Sequence, residues 1–306
     1  MELLIGADPE LFVTKNGEFV SGHGMIKGTK QQPFKVEKGA VQVDGMALEF
    51  NIDPAKDEEE FLANLNAVRE QMGNMVAGYE LSNSPVAVFS EEVLSMQPPE
   101  ALELGCEPDY NAYTGEVNPR PDSAVKFRTG AGHIHIGWTN DVDPMHPEHF
   151  EACRMLTKEL DAILYTQAIQ WDGDERRSEL YGKPGAFRPK PYGVEYRVLS
   201  NAWVGNECVT RYIFQVVHQA FKNLVEGKGV STRQYFEGRP GLFFKGRHKE
   251  MKNRNKDTMN IVCGHGNYPS FFNFSRPFVQ DGKFVNKIEQ LQRLATKEVR
   301  YGEAWG

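Results

Sequence analysis

Strict alternation of apolar and polar positions marks the most informative stretches of this chain. Between Ala40 and Ile52 the sequence reads A-V-Q-V-D-G-M-A-L-E-F-N-I. Val41 and Val43 alternate with polar neighbours, Asp44-Gly45 turns the chain, and Leu48, Phe50 and Ile52 fill one face of a second strand. Glu49 and Asn51 then lie on the opposite face. The same period runs through Lys126–Trp138, K-F-R-T-G-A-G-H-I-H-I-G-W. It puts His133 and His135 on one face and Ile134, Ile136 and Trp138 on the other. Glycines 130, 132 and 137 bracket the pair and let another backbone or a ligand approach closely. Gly193–Leu199 alternates again, with Glu195 and Arg197 on one face and Val194, Tyr196 and Val198 on the other. At the N-terminus, Leu3–Ile5 and Leu11–Thr14 read as short strands joined through G-A-D-P-E, and Pro85–Phe89 as another strand. Residues 15–40 are rich in turn signals and form a loop carrying Lys27 and Lys30.

A period of 3.6 takes over elsewhere. Phe61, Leu65, Val68, Met72, Met75 and Val76 make the buried stripe of a helix over Asp57–Gly78. Similar stripes predict one long helix over His149–Trp171 and another over Val209–Val225, with His218 packed or at the surface. Residues 97–122 carry many Pro, Gly, Asn and Asp and read as an ordered surface connection. Beyond 230 come a basic loop at Lys245–Lys256, an aromatic-rich stretch at Tyr268–Phe278 and a terminal helix near Val285–Arg300.

Composition narrows the function classes. A length of 306 residues, with 40% hydrophobic and 25% charged residues, describes a globular chain with a sizeable core. A net charge of -7 argues against a dedicated nucleic-acid or anionic-membrane binder. No apolar run approaches the ~20 residues of a membrane span. The N-terminus opens into a strand without a basic and apolar leader, which gives a cytoplasmic expectation. Cysteines 106, 153, 208 and 263 are far apart and lack C-x-x-C pairing, as reduced thiols would be.

Four strand-like segments present ionisable side chains on one face: Asp8/Glu10, Glu49, His133/His135 and Glu195/Arg197. Together with the apolar faces behind them, they predict an α+β fold built on the concave face of one curved, largely antiparallel sheet backed by helices. Carboxylates with an imidazole suit Mg²⁺ or Mn²⁺, and several carboxylates leave room for more than one ion. Six cationic residues at 176, 177, 183, 188, 190 and 197 fall before or within the Glu195 strand. Guanidinium groups grip phosphate oxygens as a fork, so this loop suits an anion. From the residues alone, the expectation is a metal-dependent phosphoryl-transfer or ligase site.

The ordered motifs D-P-E, D-G-x-x-x-E, G-H-I-H-I-G and Y-G-x-x-G-x-x-R-x-K-P-Y-G-V-E-Y-R-V-L-S-N cover roughly residues 1–205. In this order they resemble the phage-encoded type 2 carboxylate–amine ligases (amidoligases) of the glutamine synthetase/glutamate–cysteine ligase superfamily. The resemblance implies a single ligase domain over 1–306, with 97–122 as a surface insertion. It implies ATP-dependent amide formation through an acyl phosphate, with ATP and Mg²⁺ (or Mn²⁺) as cofactors and a carboxylate and an amine as substrates, in a host cytoplasm. By this likeness Glu10 and Glu49 would hold Mg²⁺ with Asp8 helping, and His133 and Glu195 would complete the metal set. His135 would face the nucleotide and Arg197 the transferring phosphate, with Arg188 and Lys126 contacting phosphate or carboxylate. The chain has proline between its first acids, no serine after the H-x-H pair and no recognisable substrate flap. The acceptor and the amine are therefore left open. Two alternatives stay beside this reading: a zinc hydrolase using His133 and His135 with Glu49 or Glu195 as base, and an inactive binding or structural phage protein on the same fold.

Overall fold

The computed structural model describes residues 2–103, 109–119, 125–172, 174 and 176–226. The expectations for 230–306, and those for Cys106 and Cys263, lie outside the described residues. Within them the chain begins with β1 (Leu4–Lys15), β2 (Glu18–Val20), β3 (Phe34–Val36), β4 (Gly39–Asp44) and β5 (Ala47–Ile52). Helix α1 (Glu58–Met75) leads to β6 (Glu80–Ser82), β7 (Val86–Val88), α2 (Glu91–Ser95) and α3 (Pro99–Leu102). Next come β8 (Tyr110–Asn111), β9 (Phe127–Thr129) and β10 (Gly132–Gly137). The last part holds α4 (Pro147–Leu160), α5 (Thr166–Asp172), α6 (Arg177–Leu180), β11 (Ala186–Lys190), β12 (Gly193–Tyr196) and α7 (Glu207–Val225).

One sheet runs β3-β4-β5-β1-β10-β12-β11-β8, with β2 and β6 also pairing with β1, and β7 and β9 form a separate ribbon. Every ladder is antiparallel. The expected α+β architecture, an antiparallel sheet backed by helices, is what the chain adopts. Alternation explains the layering. Ile5, Leu11, Leu48, Phe50, Ile134, Ile136, Val194 and Tyr196 point to one face, all buried. They pack there with Phe61, Leu65, Val68 and Met72 of α1, Leu156 and Leu160 of α4, and Ile213 and Val217 of α7. On the other face of β1, Phe12 joins Phe89, Met46 and Ala101 in a smaller apolar cluster. None of the described helices is long and apolar enough to cross a membrane.

Helix α1 starts where expected. The side chain of Asp57 accepts from the amide of Glu60 at 2.9 Å, and three glutamates occupy the positive end of the helix dipole.

Three expectations need revision. The two N-terminal strands are one continuous β1 running through Pro9. Backbone amides alternate sides along a strand, and that of Glu10 goes to Ala131 at 2.8 Å. Pro9, which lacks an N–H, therefore faces the β5 side, where the ladder begins only at Glu10–Glu49. The long helix over 149–171 is interrupted by a π-helical turn at Asp161–Tyr165. There the carboxyl group of Asp161 accepts from Tyr113 at 2.9 Å and Tyr196 at 2.8 Å, and the wider turn accommodates this polar anchor. The surface connection over 97–122 contributes α3 and the edge strand β8, whose Tyr110 and Asn111 pair with Phe187 and Ala186.

Candidate functional site

Register assembles the site. Asp8 stands opposite His133, and His135 opposite Glu195. Glu195 in turn stands opposite Arg188, while Glu10 stands opposite Glu49 and Glu49 opposite Gln42. Side chains two apart on a strand share a face, so one polar row crosses the sheet from β4 to β11. Residues from 8 to 197 meet in it.

Its centre is a compact group of Asp8, His135 and Glu195, whose candidate ligand atoms lie within 4.8 Å of one another. Nε2 of His135 is 3.0 Å from Oδ2 of Asp8, and Nδ1 of His133 is 3.5 Å from Oδ1 of Asp8 and 3.4 Å from Oε1 of Glu195. Glu195 is only 1% exposed and is ringed by cations. Arg188 Nη1 lies 3.1 Å and Lys190 Nζ 3.3 Å from Oε2, and Arg197 Nη1 donates to Oε1. Arg197 is itself held by Asp109, with Nε at 3.2 Å from Oδ2.

These neighbours set the protonation states. Burial alone would raise Asp8 and Glu195. For Asp8 the charges of His135 and His133 outweigh burial and hold the carboxyl well below its ordinary value. For Glu195 the guanidinium groups of Arg197 and Arg188 do the same, against the raising effect of Asp8. Both are carboxylates at neutral pH. His133 is lowered by burial and by Arg197, so it is a neutral imidazole there.

The other half of the row behaves oppositely. Glu10 and Glu49 face each other directly, an arrangement that repels when both are charged. Burial, then Asp44, raises Glu10 to about 7 and Glu49 well above its ordinary value. Glu10 Oε2 accepts from the amide of Ala131 at 3.0 Å, and Glu49 Oε2 accepts from Gln42 at 2.5 Å. Lys30 reaches this end, with Nζ 2.7 Å from Asp44 Oδ1, and it feels Glu49 and Glu10.

Whether these residues fit a divalent cation can be judged from their unmet polar atoms. Oδ1 of Asp8 and Nε2 of His135 are buried and make no hydrogen bond. Nε2 stands 3.0 Å from Asp8 without hydrogen-bond alignment, as expected where both atoms aim at a third. The two carboxylates are the oxygen donors that Mg²⁺ or Mn²⁺ prefers, and one imidazole nitrogen stands beside them. The fit is good.

Eight of the nine residues singled out from sequence thus lie in this row: Asp8, Glu10, Glu49, His133, His135, Arg188, Glu195 and Arg197. Within it, the compact group contains His135, to which the resemblance gave the nucleotide-facing role, and His133 lies beside it with Nδ1 3.4 Å from Arg197 Nη1. Lys126 is not brought in. It is exposed and its ammonium lies 2.6 Å from Glu91, beside β9, which belongs to the separate β7–β9 ribbon. Of the cationic loop, Arg176 pairs at the surface with Asp174, and Arg177 is buried with its guanidinium on the carbonyls of Gly130, Val198 and Leu199. Asp109 and Tyr192 were not foreseen. Tyr192 lay inside the K-P-Y-G-V-E motif, and its hydroxyl meets His135 Nδ1.

Gly132 shows why small residues flank the histidines. A Cβ there would lie 2.3 Å from the Ser200 carbonyl oxygen. The carbonyl of Gly132 accepts from Trp203 Nε1 at 3.1 Å. This contact seats β10 against the turn that follows β12.

Residues 122–292, more than half of the chain, match the family model described as phage phiEco32-like COOH.NH2 ligase-type 2. The chain belongs to this family. The matched span of the COOH.NH2 ligase carries His133, His135, Arg188, Glu195 and Arg197, and it continues past residue 205, where the ordered motifs end. Asp8, Glu10 and Glu49 precede the span and join the ligase site through the β1–β10 and β1–β5 ladders. Among solved structures, a bifunctional glutathione synthetase from Pasteurella multocida is similar at 12% identity and a TM-score of 0.37. The match covers 97% of this chain and 51% of that one, so the chain spans about half the length of that enzyme. No curated protein matches the sequence.

Proposed function

We propose that this member of the COOH.NH2 ligase family is an ATP-dependent acid–amine ligase that forms an amide through an acyl phosphate. The observation that carries the reading is the Asp8, His135 and Glu195 group flanked by Arg188, Lys190 and Arg197. Anionic ligands for a cation and cationic ligands for a phosphate stand side by side, which is the requirement of nucleotide-driven phosphoryl transfer.

Asp8, His135 and Glu195 would hold Mg²⁺, with His133 beside them and Glu10 and Glu49 completing the row for a second ion. The metal's contribution when bound is to neutralise phosphate charge. The chain's own residues do the rest. Arg197 and Arg188 sit where they can shift from Glu195 to the oxygens of a transferring phosphoryl group. A substrate carboxylate oxygen bonds to the γ-phosphorus as the bond to ADP breaks. An amine nitrogen then attacks the acyl carbon, phosphate leaves, and the nitrogen loses a proton. Holding both partners on one rigid sheet face supplies the orientation that such a two-substrate reaction needs.

Thermal unfolding with Mg-ATP tests this reading. A ligand at ~100 times its dissociation constant stabilises the native state by ~2.7 kcal/mol. A raised midpoint that Glu195→Ala abolishes is the expected result, followed by release of ADP and phosphate in step with amide product. A shift with Zn²⁺ alone, or release of AMP and pyrophosphate, sinks the proposal.

A further inference from the structure

The carbonyl of Gly130 and the amide of Ala131 belong to one peptide group. Its N–H donates to Oε2 of Glu10 at 3.0 Å, and its oxygen accepts from the amide of Asn201 at 3.2 Å. The same oxygen accepts from Nε of Arg177 at 3.2 Å. Arg177 also donates through Nη1 to the carbonyl of Val198 and through Nη2 to that of Leu199, each at 2.8 Å. It is only 3% exposed, and Asp172 stands 3.8 Å away, at the limit of an ion pair. A guanidinium buried this deeply is costly unless its donors are met, and here main-chain carbonyls meet three of them.

We propose that Arg177 is a positioning residue of the ligase site, which fixes the Gly130–Ala131 peptide so that its N–H stays on Glu10. This rests on the reading above, in which Glu10 helps to hold a cation. A trans peptide is planar, with its C=O and N–H pointing in opposite directions. Whatever fixes the oxygen therefore aims the N–H. The positive charge on that oxygen also polarises the group and strengthens the N–H as a donor. The other two bonds hold the chain just beyond Arg197, where the carbonyl of Leu199 also accepts from the amide of Gly132 at 3.0 Å. One side chain thus spans the approach to β10 and the exit from β12, the strands that carry His133, His135 and Glu195.

The geometry explains why an arginine serves here. A planar fork presents its N–H groups in fixed directions, so one group can hold three carbonyls from two segments at once. A lysine ammonium is a point charge on a flexible stem and cannot reproduce that plane. Gly182 makes the room, since a Cβ there would lie 1.8 Å from Nη1 of Arg177. Arg177→Lys keeps the charge and gives up the fork. It therefore separates orientation of the peptide from the mere presence of a cation.

Two measurements on the full chain test the proposal. The first is hydrogen exchange followed by NMR. In Arg177→Lys the Ala131 amide is expected to exchange faster, while the amides of Ile134 and Ile136 keep their protection. An unchanged Ala131 amide overturns the proposal, as does faster exchange throughout β10, which would mark a role in the fold alone. Should the variant fail to fold, the parent decides: the Ala131 N–H and the Arg177 Nε–H are expected to open together at one rate. An Ala131 amide that opens while the Arg177 Nε–H stays protected overturns the proposal. The second measurement follows free Mn²⁺ by its paramagnetic resonance signal during titration. Arg177→Lys is expected to bind Mn²⁺ about 10–100-fold more weakly, the usual loss when the support behind a ligand is removed. Added to Glu10→Gln, it should cost nothing further, because its effect runs through Glu10. Additive losses overturn the proposal, as does an Arg177→Lys that binds Mn²⁺ like the parent. A parent chain that takes up no Mn²⁺ removes the metal reading itself, and the exchange result then decides whether Arg177 sets the peptide.

Discussion

The side-chain amide of Asn201 donates to the main-chain carbonyl of Glu10 at 2.7 Å, tying the turn after β12 to the middle of β1. Asn201 is fully buried, and a Cβ placed on Gly130 would lie 2.2 Å from its amide nitrogen. Gly130→Ala must therefore push Asn201 off Glu10. Overpacking of this kind costs about 1–3 kcal/mol, and leaving the carbonyl of Glu10 unsatisfied costs a similar amount. Gly130→Ala and Asn201→Ala should each lower stability in urea unfolding by about that much. The double variant should lose less than their sum, since both remove one bond. Full additivity would refute the coupling.

Glu195→Gln leaves Arg188, Lys190 and Arg197 facing one another without their shared carboxylate. Breaking a buried ion pair from one side costs about 3–5 kcal/mol, and a destabilisation of that order is expected. The sign of its pH dependence follows from the lowered carboxyl. Its contribution is present above the ordinary value of 4.5 and is lost as pH falls towards the lower folded value. The parent should lose stability below pH 4.5 more steeply than Glu195→Gln in urea titrations.

Asp161 gives the opposite limb. Burial raises it from 3.8 to about 7, despite the hydroxyls of Tyr196 and Tyr113 on its oxygens. Between those values the folded chain holds a proton that the unfolded chain has released, so stability falls as pH rises from about 3.8 to 7. Asp161→Asn should flatten that fall. Glu10 and Glu49 are raised in the same direction and account for a residual slope. An unchanged slope between pH 4 and 7 would show that Asp161 is ionised in the fold.

Lys126 lies at the surface beside Glu91. An exposed pair of this kind contributes little. Lys126→Ala should leave both the unfolding midpoint and its response to Mg-ATP unchanged. Loss of the Mg-ATP response would return Lys126 to the nucleotide site.

Much of the row was legible because a period of two needs no partner to be read. Glu49, His133, His135 and Glu195 declare their face through Leu48, Ile134 and Val194 beside them. What could not be read depends on contacts between distant residues. Asp109 matters because Arg197, far along the chain, turns back to it, and Tyr192 because the hairpin folds over His135. Nothing local distinguishes Arg177, which spans backbone carbonyls, from Arg188, which reaches the site; both are cations in a Pro/Gly-rich stretch. The break at Asp161 was hidden for the same reason, since the tyrosines that anchor it come from two other segments.

The place of β1 between β5 and β10 also sets an order of events when the chain is made. Its β5 neighbour ends at Ile52, whereas its β10 neighbour ends at Gly137. At a synthesis rate of about 5–20 residues per second, one edge of this strand waits on the order of 10 s for its partner to leave the ribosome. An open strand edge is a template for pairing with other chains. The acidic residues on that strand, Asp8 and Glu10, are hydrated and mutually repelling between copies during that wait. Charges on an open strand disfavour such pairing, so the carboxylates that would bind metal in the finished protein also count against association of β1 before β10 arrives.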